Sequence, residues 1–62
     1  MSKKVMVCVK SRCFSTIPFV ERMESLGLEL TGVGIRSLLG LIEIEKIKDL
    51  KADKDVISVE RE

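Results

Sequence analysis

The amino-acid sequence predicts one α+β domain, and three observations carry that expectation. Val5, Val7 and Val9 place β-branched residues at every second position, the mark of a strand with one buried face. Phe19, Val20, Met23 and Leu26 follow at helical spacing, so one face of that stretch is apolar. Further apolar runs and a second short helical pattern then complete the order βαββαβ within 62 residues. A chain of this length buries only about 60% of the surface its unfolded form exposes, which allows one small core. At 45% hydrophobic and 34% charged, the composition is that of a globular chain and not a disordered one.

The elements follow in order. Residues 4–10 form the first strand, with the three valines on one face and Met6 and Cys8 on the other. Lys10-Ser11-Arg12-Cys13-Phe14 is a loop. Ser15 or Thr16 caps the helix that follows, and Pro18 sits in its first turn, where a missing N–H costs little. Glu21, Arg22 and Glu24 fall on its wet side. Gly27 supplies a left-handed cap and Leu28 the hydrophobic contact after it. A second strand spans Glu29 to Ile35, where Gly32 and Gly34 mark a bulge or a close backbone approach. Residues 36–40 hold the turn of a hairpin, and Leu41 to Ile44 make a short third strand. Glu45 to Ala52 is a second helix with Ile47 and Leu50 inward, Asp53-Lys54-Asp55 a polar turn, and Val56 to Val59 the last strand.

This order has one dominant solution, the ferredoxin-like split sandwich. Two right-handed βαβ crossovers interleave, and both helices cover one face of a four-stranded antiparallel sheet. The other face stays open. With the valines inward, Met6 and Cys8 look out on it, and an apolar open face or edge invites a homodimer.

Charge and chemistry narrow the function. Eleven Lys+Arg stand against ten Asp+Glu, a formal charge of +1. That balance lacks the electrostatic footprint of a nucleic-acid binder or a membrane-surface protein, so neither partner is expected. Lys46, Lys48, Lys51 and Lys54 alternate with Glu45, Asp49, Asp53 and Asp55, which reads as a solvated, salt-bridged face. His, Trp and Tyr are absent, removing the commonest general base, the commonest metal ligand and the best stacking platforms. No run approaches the roughly 20 apolar residues of a membrane span, and the run ending at Lys10 falls short of the about 7–15 of a signal core. Cys8 and Cys13, joined by an extended segment, would lie beyond the about 7 Å that a disulfide allows. Reduced thiols in a cytoplasm are the expectation.

Without His, a nucleophilic serine needs Lys or a carboxylate as base. Ser11, Ser15, Ser25, Ser37 and Ser58 all fall at turns, caps or solvated strand positions, and Glu43/Glu45 and Asp53/Asp55 read as solvated charges. The chain is also short for enclosing a pocket of about 300 Å³. No enzyme activity, catalytic residue or cofactor is expected. Met6, Cys8 and Cys13 form a soft-donor set suited to Cu(I) or Zn(II). Packing as small hydrophobes is the simpler reading of the thiols, and no metal is assigned. Lys10 and Arg12, beside the N-terminus of the first helix, are candidates for binding a phosphate or carboxylate.

The opening Val5-Met6-Val7-Cys8-Val9-Lys10, the run Leu39-Gly40-Leu41-Ile42, the helix with Ile47 and Leu50, and the close Asp53-Lys54-Asp55-Val56-Ile57-Ser58-Val59-Glu60 carry a resemblance. Together they resemble the subtilisin-propeptide-like inhibitor family, including its small free-standing bacterial members, over nearly the whole chain. The resemblance implies an inhibitor or folding assistant of a subtilisin-like protease. It implies an open sheet face laid on two parallel helices of the protease and a C-terminal tail entering the cleft as a product does. Val59 and Glu60 match the family's closing Val-Glu, and Glu60 would bring negative charge to helix N-termini. Val59, Glu60, Arg61 and Glu62 are therefore the expected protein-binding residues. The expectation is a protein-interaction module of this kind. Its alternatives are a small regulatory or carrier domain binding an anion or soft metal at the loop after strand one, or a structural homodimer subunit.

Overall fold

The computed structural model describes residues 3–62. Its elements are β1 (Lys4–Ser11), α1 (Ile17–Ser25), β2 (Glu29–Val33), β3 (Ser37–Glu43), a 3-10 turn (Ile44–Lys46) running into α2 (Ile47–Lys51), and β4 (Val56–Arg61). The strands form one sheet in the order β2-β3-β1-β4, every neighbouring pair antiparallel. α1 thus joins two parallel strands with β3 between them, and α2 joins two with β1 between them. This is the expected α+β split sandwich, abbreviated in its second helix.

The period of two in β1 sets the core. Val7 and Val9 are fully buried, and their partners across the ladder, Gly40 and Leu38 on β3, share that side. Ile42 on β3 and Val56 and Val59 on β4 extend it. α1 lays Phe19 and Met23 on this surface, Leu28 closes the corner after α1, and Leu50 is the buried anchor of α2. Each fully buried Leu, Ile or Met side chain contributes about 1.5–3 kcal/mol relative to exposure. Val5, at the margin, is only half-buried. Gly27 adopts φ 108°, the left-handed conformation expected of it.

Several boundaries differ from the sequence reading. β2 stops at Val33 and the turn lies at residues 34–36, closed by the Gly34 N–H donating to Ser37 C=O at 2.7 Å. β3 therefore starts at Ser37, four residues earlier than expected, because Leu38 pairs with Val9 and is drawn into the core. The second helix is not continuous from Glu45. It opens as a 3-10 turn and is α-helical only over five residues. β1 and β4 each run past their expected ends, to Ser11 and Arg61. Thr16 takes the N-cap position of α1 without a side-chain hydrogen bond, and Ser15 Oγ instead donates to Ser37 C=O at 3.3 Å.

One end of the sandwich is knitted by backbone. Ser11 N–H donates to Arg36 C=O at 2.9 Å, Ser15 N–H to Ile35 C=O at 2.9 Å, and Arg12 N–H to Asp55 C=O at 2.8 Å. The β1–α1 loop, the hairpin turn and the turn before β4 therefore sit side by side. Among the described residues, no helix is long and apolar enough to cross a membrane.

Candidate functional site: the open sheet face

Residues that alternate with the core valines of β1 face away from both helices. Met6 and Cys8 stand there, opposite Leu41 and Leu39 of β3. The four make a two-by-two apolar patch at the centre of the sheet. Leu39 is exposed and the other three are half-buried. Thr31 Oγ1 lies 3.8 Å from Met6 Sδ at the β2 side.

Ion pairs frame this patch. Lys4 Nζ pairs with Glu29 on β2, and Lys10 Nζ lies 3.6 Å from Glu60 Oε2 on β4. All four charged side chains are about half exposed, so each pair contributes no more than about 1 kcal/mol and yields readily to a partner's groups. The surface can therefore dock an apolar partner face with little charge to desolvate. The sheet's edges differ. Thr31 in β2 and Ile57 in β4 are extra residues at register shifts, and β4 ends in Glu60 and Arg61. Bulges and charge of this sort disfavour edge-to-edge strand pairing.

The C-terminal candidates separate. Val59 is opposite Val9 and belongs to the core, on the side away from the open face. Glu60 reaches the open face beside Cys8. Arg61 is still in β4, and Glu62 N–H donates to Met6 C=O at 2.9 Å, so the final residues are held along β1. Lys10 is engaged by Glu60 on the face, whereas Arg12 lies past the strand end, and among the described residues the two share no partner.

The remaining candidates are structural groups. Ser11 is buried, its hydroxyl shared between Cys13 C=O at 2.8 Å and Arg36 C=O at 3.2 Å. Ser25 Oγ donates to Arg22 C=O. Cys8 and Cys13 are free thiols, and Cys13 packs against the core. Among the described residues there is no cluster of three or more metal-ligating side chains and no pocket. Asp53 and Asp55, expected as solvated turn charges, both hold Arg22. Asp55 first, and Asp53 with it, raise the Arg22 guanidinium above its usual value. Compared with protein-family models, with curated proteins and with solved structures, the chain has no match.

Proposed function

We propose that the chain is a protein-interaction module that docks through its open sheet face, as a free-standing propeptide-like inhibitor or folding assistant of a subtilisin-like protease. The observation that carries this reading is the patch of Met6, Cys8, Leu39 and Leu41, framed by the Lys4–Glu29 and Lys10–Glu60 pairs on an uncovered sheet face. The guarded edges direct a partner to the face. Two cysteines, Cys8 and Cys13, with no disulfide between them fit a cytoplasmic setting.

Titrating a subtilisin-type protease with the full chain tests this. Inhibition saturating at one to one is expected, and Leu39→Glu, which puts a charge at the centre of the patch, weakens it about 10-fold or more. Plain digestion of the chain with no effect on the protease overturns the reading. A melting temperature that rises with concentration and loses that dependence in Leu39→Glu gives the face to a second copy instead.

A further inference from the structure

The charges of this chain nearly cancel in total, but they do not pair evenly over the surface. At the end of the sandwich where β2 begins and β3 finishes, acids and bases are matched: Glu29 pairs with Lys4 and Glu43 with Lys46. The opposite end, built from the β1–α1 loop, the hairpin turn and the turn before β4, carries Arg12, Arg36 and Lys54, all exposed. No ion pair joins these three to a carboxylate among the described residues. The two acids that flank Lys54, Asp53 and Asp55, pair with Arg22.

The same end exposes large apolar side chains. Phe14 is 57% exposed, Ile17 73% and Ile35 77%. Their positions are held by Ser15, whose N–H donates to Ile35 C=O and whose hydroxyl donates to Ser37 C=O. The Arg36 guanidinium lies over the Phe14 ring at 4.8 Å, an apolar body joined to a cationic tip. Strands of seven or eight residues run about 25 Å, so the 32 Å extent of the molecule lies along them and this end has a cross-section of 21 × 19 Å. Its projected area, roughly 400 Å², is about half of what one side of a stable protein–protein interface buries. A lipid surface is fluid and requires no matching shape. Its affinity comes from the depth of apolar insertion and the count of cations.

We propose that this end of the domain docks peripherally on an anionic lipid surface. Phe14, Ile17 and Ile35 enter the headgroup boundary, and Arg12, Arg36 and Lys54 meet the negative headgroups. No spanning helix is involved. The net charge of +1 sums over the whole chain and hides these three cations. The site is distinct from the open sheet face and does not rest on the protease reading.

Co-sedimentation of the full chain with phosphatidylcholine vesicles, with and without phosphatidylserine, tests the proposal. Binding is expected only with phosphatidylserine, and it falls as salt rises. Arg12→Ala/Arg36→Ala lowers the partition coefficient roughly 30-fold. Phe14→Ser/Ile35→Ser lowers it about 10-fold or more. Both variants alter exposed side chains, and an unchanged melting temperature shows that each is folded. Absence of binding to phosphatidylserine vesicles overturns the proposal. So does binding that Phe14→Ser/Ile35→Ser leaves intact, which is charge attraction alone. Binding to a synthetic peptide alternating Glu with Leu, lost in both variants and unaccompanied by vesicle binding, assigns the patch to an acidic protein partner and also overturns it.

Discussion

Arg22 grips Asp53 in a two-point pair, its Nε 2.8 Å from Oδ2 and its Nη2 3.1 Å from Oδ1, and so ties the middle of α1 to the turn before β4. The same Nη2 reaches Asp55 Oδ2 at 2.7 Å, and Asp53 Oδ1 also accepts the Asp55 backbone N–H at 2.9 Å. Asp53 is the better-shielded partner, its side chain 10% exposed against 32% for Asp55. Asp53→Ala removes an acceptor used by both a guanidinium and a backbone donor and lowers stability by about 2 kcal/mol. In a domain this small that is a fall in Tm of roughly 10 °C. Asp53→Asn keeps one carbonyl oxygen and recovers part of the loss. Thermal unfolding of the two variants checks the order.

The pH behaviour of this bracket follows from its sign. The carboxylates raise the pKa of Arg22, Asp55 contributing most, so its contribution to stability is complete below the ordinary arginine value of the unfolded chain. It is lost only as pH rises through the still higher folded value. The ¹³C shift of Arg22 Cζ is therefore expected to stay flat through every pH at which the domain is folded. A titration step in the alkaline range below the usual arginine value contradicts the raised pKa.

Gly40 is the second point of strict fit. A Cβ built there meets the Glu29 carbonyl oxygen and comes within 2.9 Å of Leu28 Cδ1. The first of these is backbone and cannot swing away, so Gly40→Ala pushes β2 off β3 and destabilises by about 1–3 kcal/mol. Gly32, on the neighbouring strand, is different: its Cβ would touch only Leu39 at 3.6 Å, an ordinary contact. Gly32→Ala is expected to leave the urea midpoint nearly unchanged while Gly40→Ala lowers it. Hydrogen exchange localises the damage to β2.

The contrast between these elements explains what was legible in the sequence. Val7 and Val9 alternate with residues that face outward, and Phe19 and Met23 sit four apart, so both inward faces were readable from spacing. The run Leu38-Leu39-Gly40-Leu41-Ile42 is apolar on both faces of its strand and shows no alternation. Its period is hidden, so spacing alone puts the hairpin turn at residues 36–40, later than the observed 34–36. The same masking hid the candidate site, because Leu39 and Leu41 are the β3 half of the open-face patch. Arg22 and Asp53 are 31 residues apart, a pairing no local pattern reports. The basic, apolar end is likewise assembled from three separate turns.

Leu50 tests how much the abbreviated second helix matters. α2 has only five residues and Leu50 is its one fully buried side chain. Helices of this length have no stability of their own and persist only through packing. Leu50→Ala leaves a cavity under the turn and costs about 2–5 kcal/mol. A 62-residue domain has a total stability of about 3–9 kcal/mol, so the loss is a large share of the total and the variant is expected to melt well below the unsubstituted chain. Ile47, half-buried on the same helix, is expected to tolerate Ala with a loss nearer 1 kcal/mol. Circular dichroism melts of the two variants separate these outcomes.

Ser11 provides the last prediction, since it links the core to the exposed end. The residue is 3% exposed, its hydroxyl is shared between the carbonyls of Cys13 and Arg36, and its own N–H also donates to the Arg36 carbonyl. The hydroxyl therefore fixes where the β1–α1 loop leaves the sheet relative to the hairpin turn. Ser11→Ala keeps the backbone bond but leaves the Cys13 carbonyl without this donor, at a cost of about 1–2 kcal/mol. Ser11→Cys retains size and only a weak donor, so it falls between the two. The loss is local: amide exchange is expected to quicken at Arg12 and Ser15, while Val7 and Met23 keep their protection relative to the global opening. Uniformly faster exchange in Ser11→Ala, with no extra effect at Arg12 and Ser15, contradicts a bracketing role for this hydroxyl.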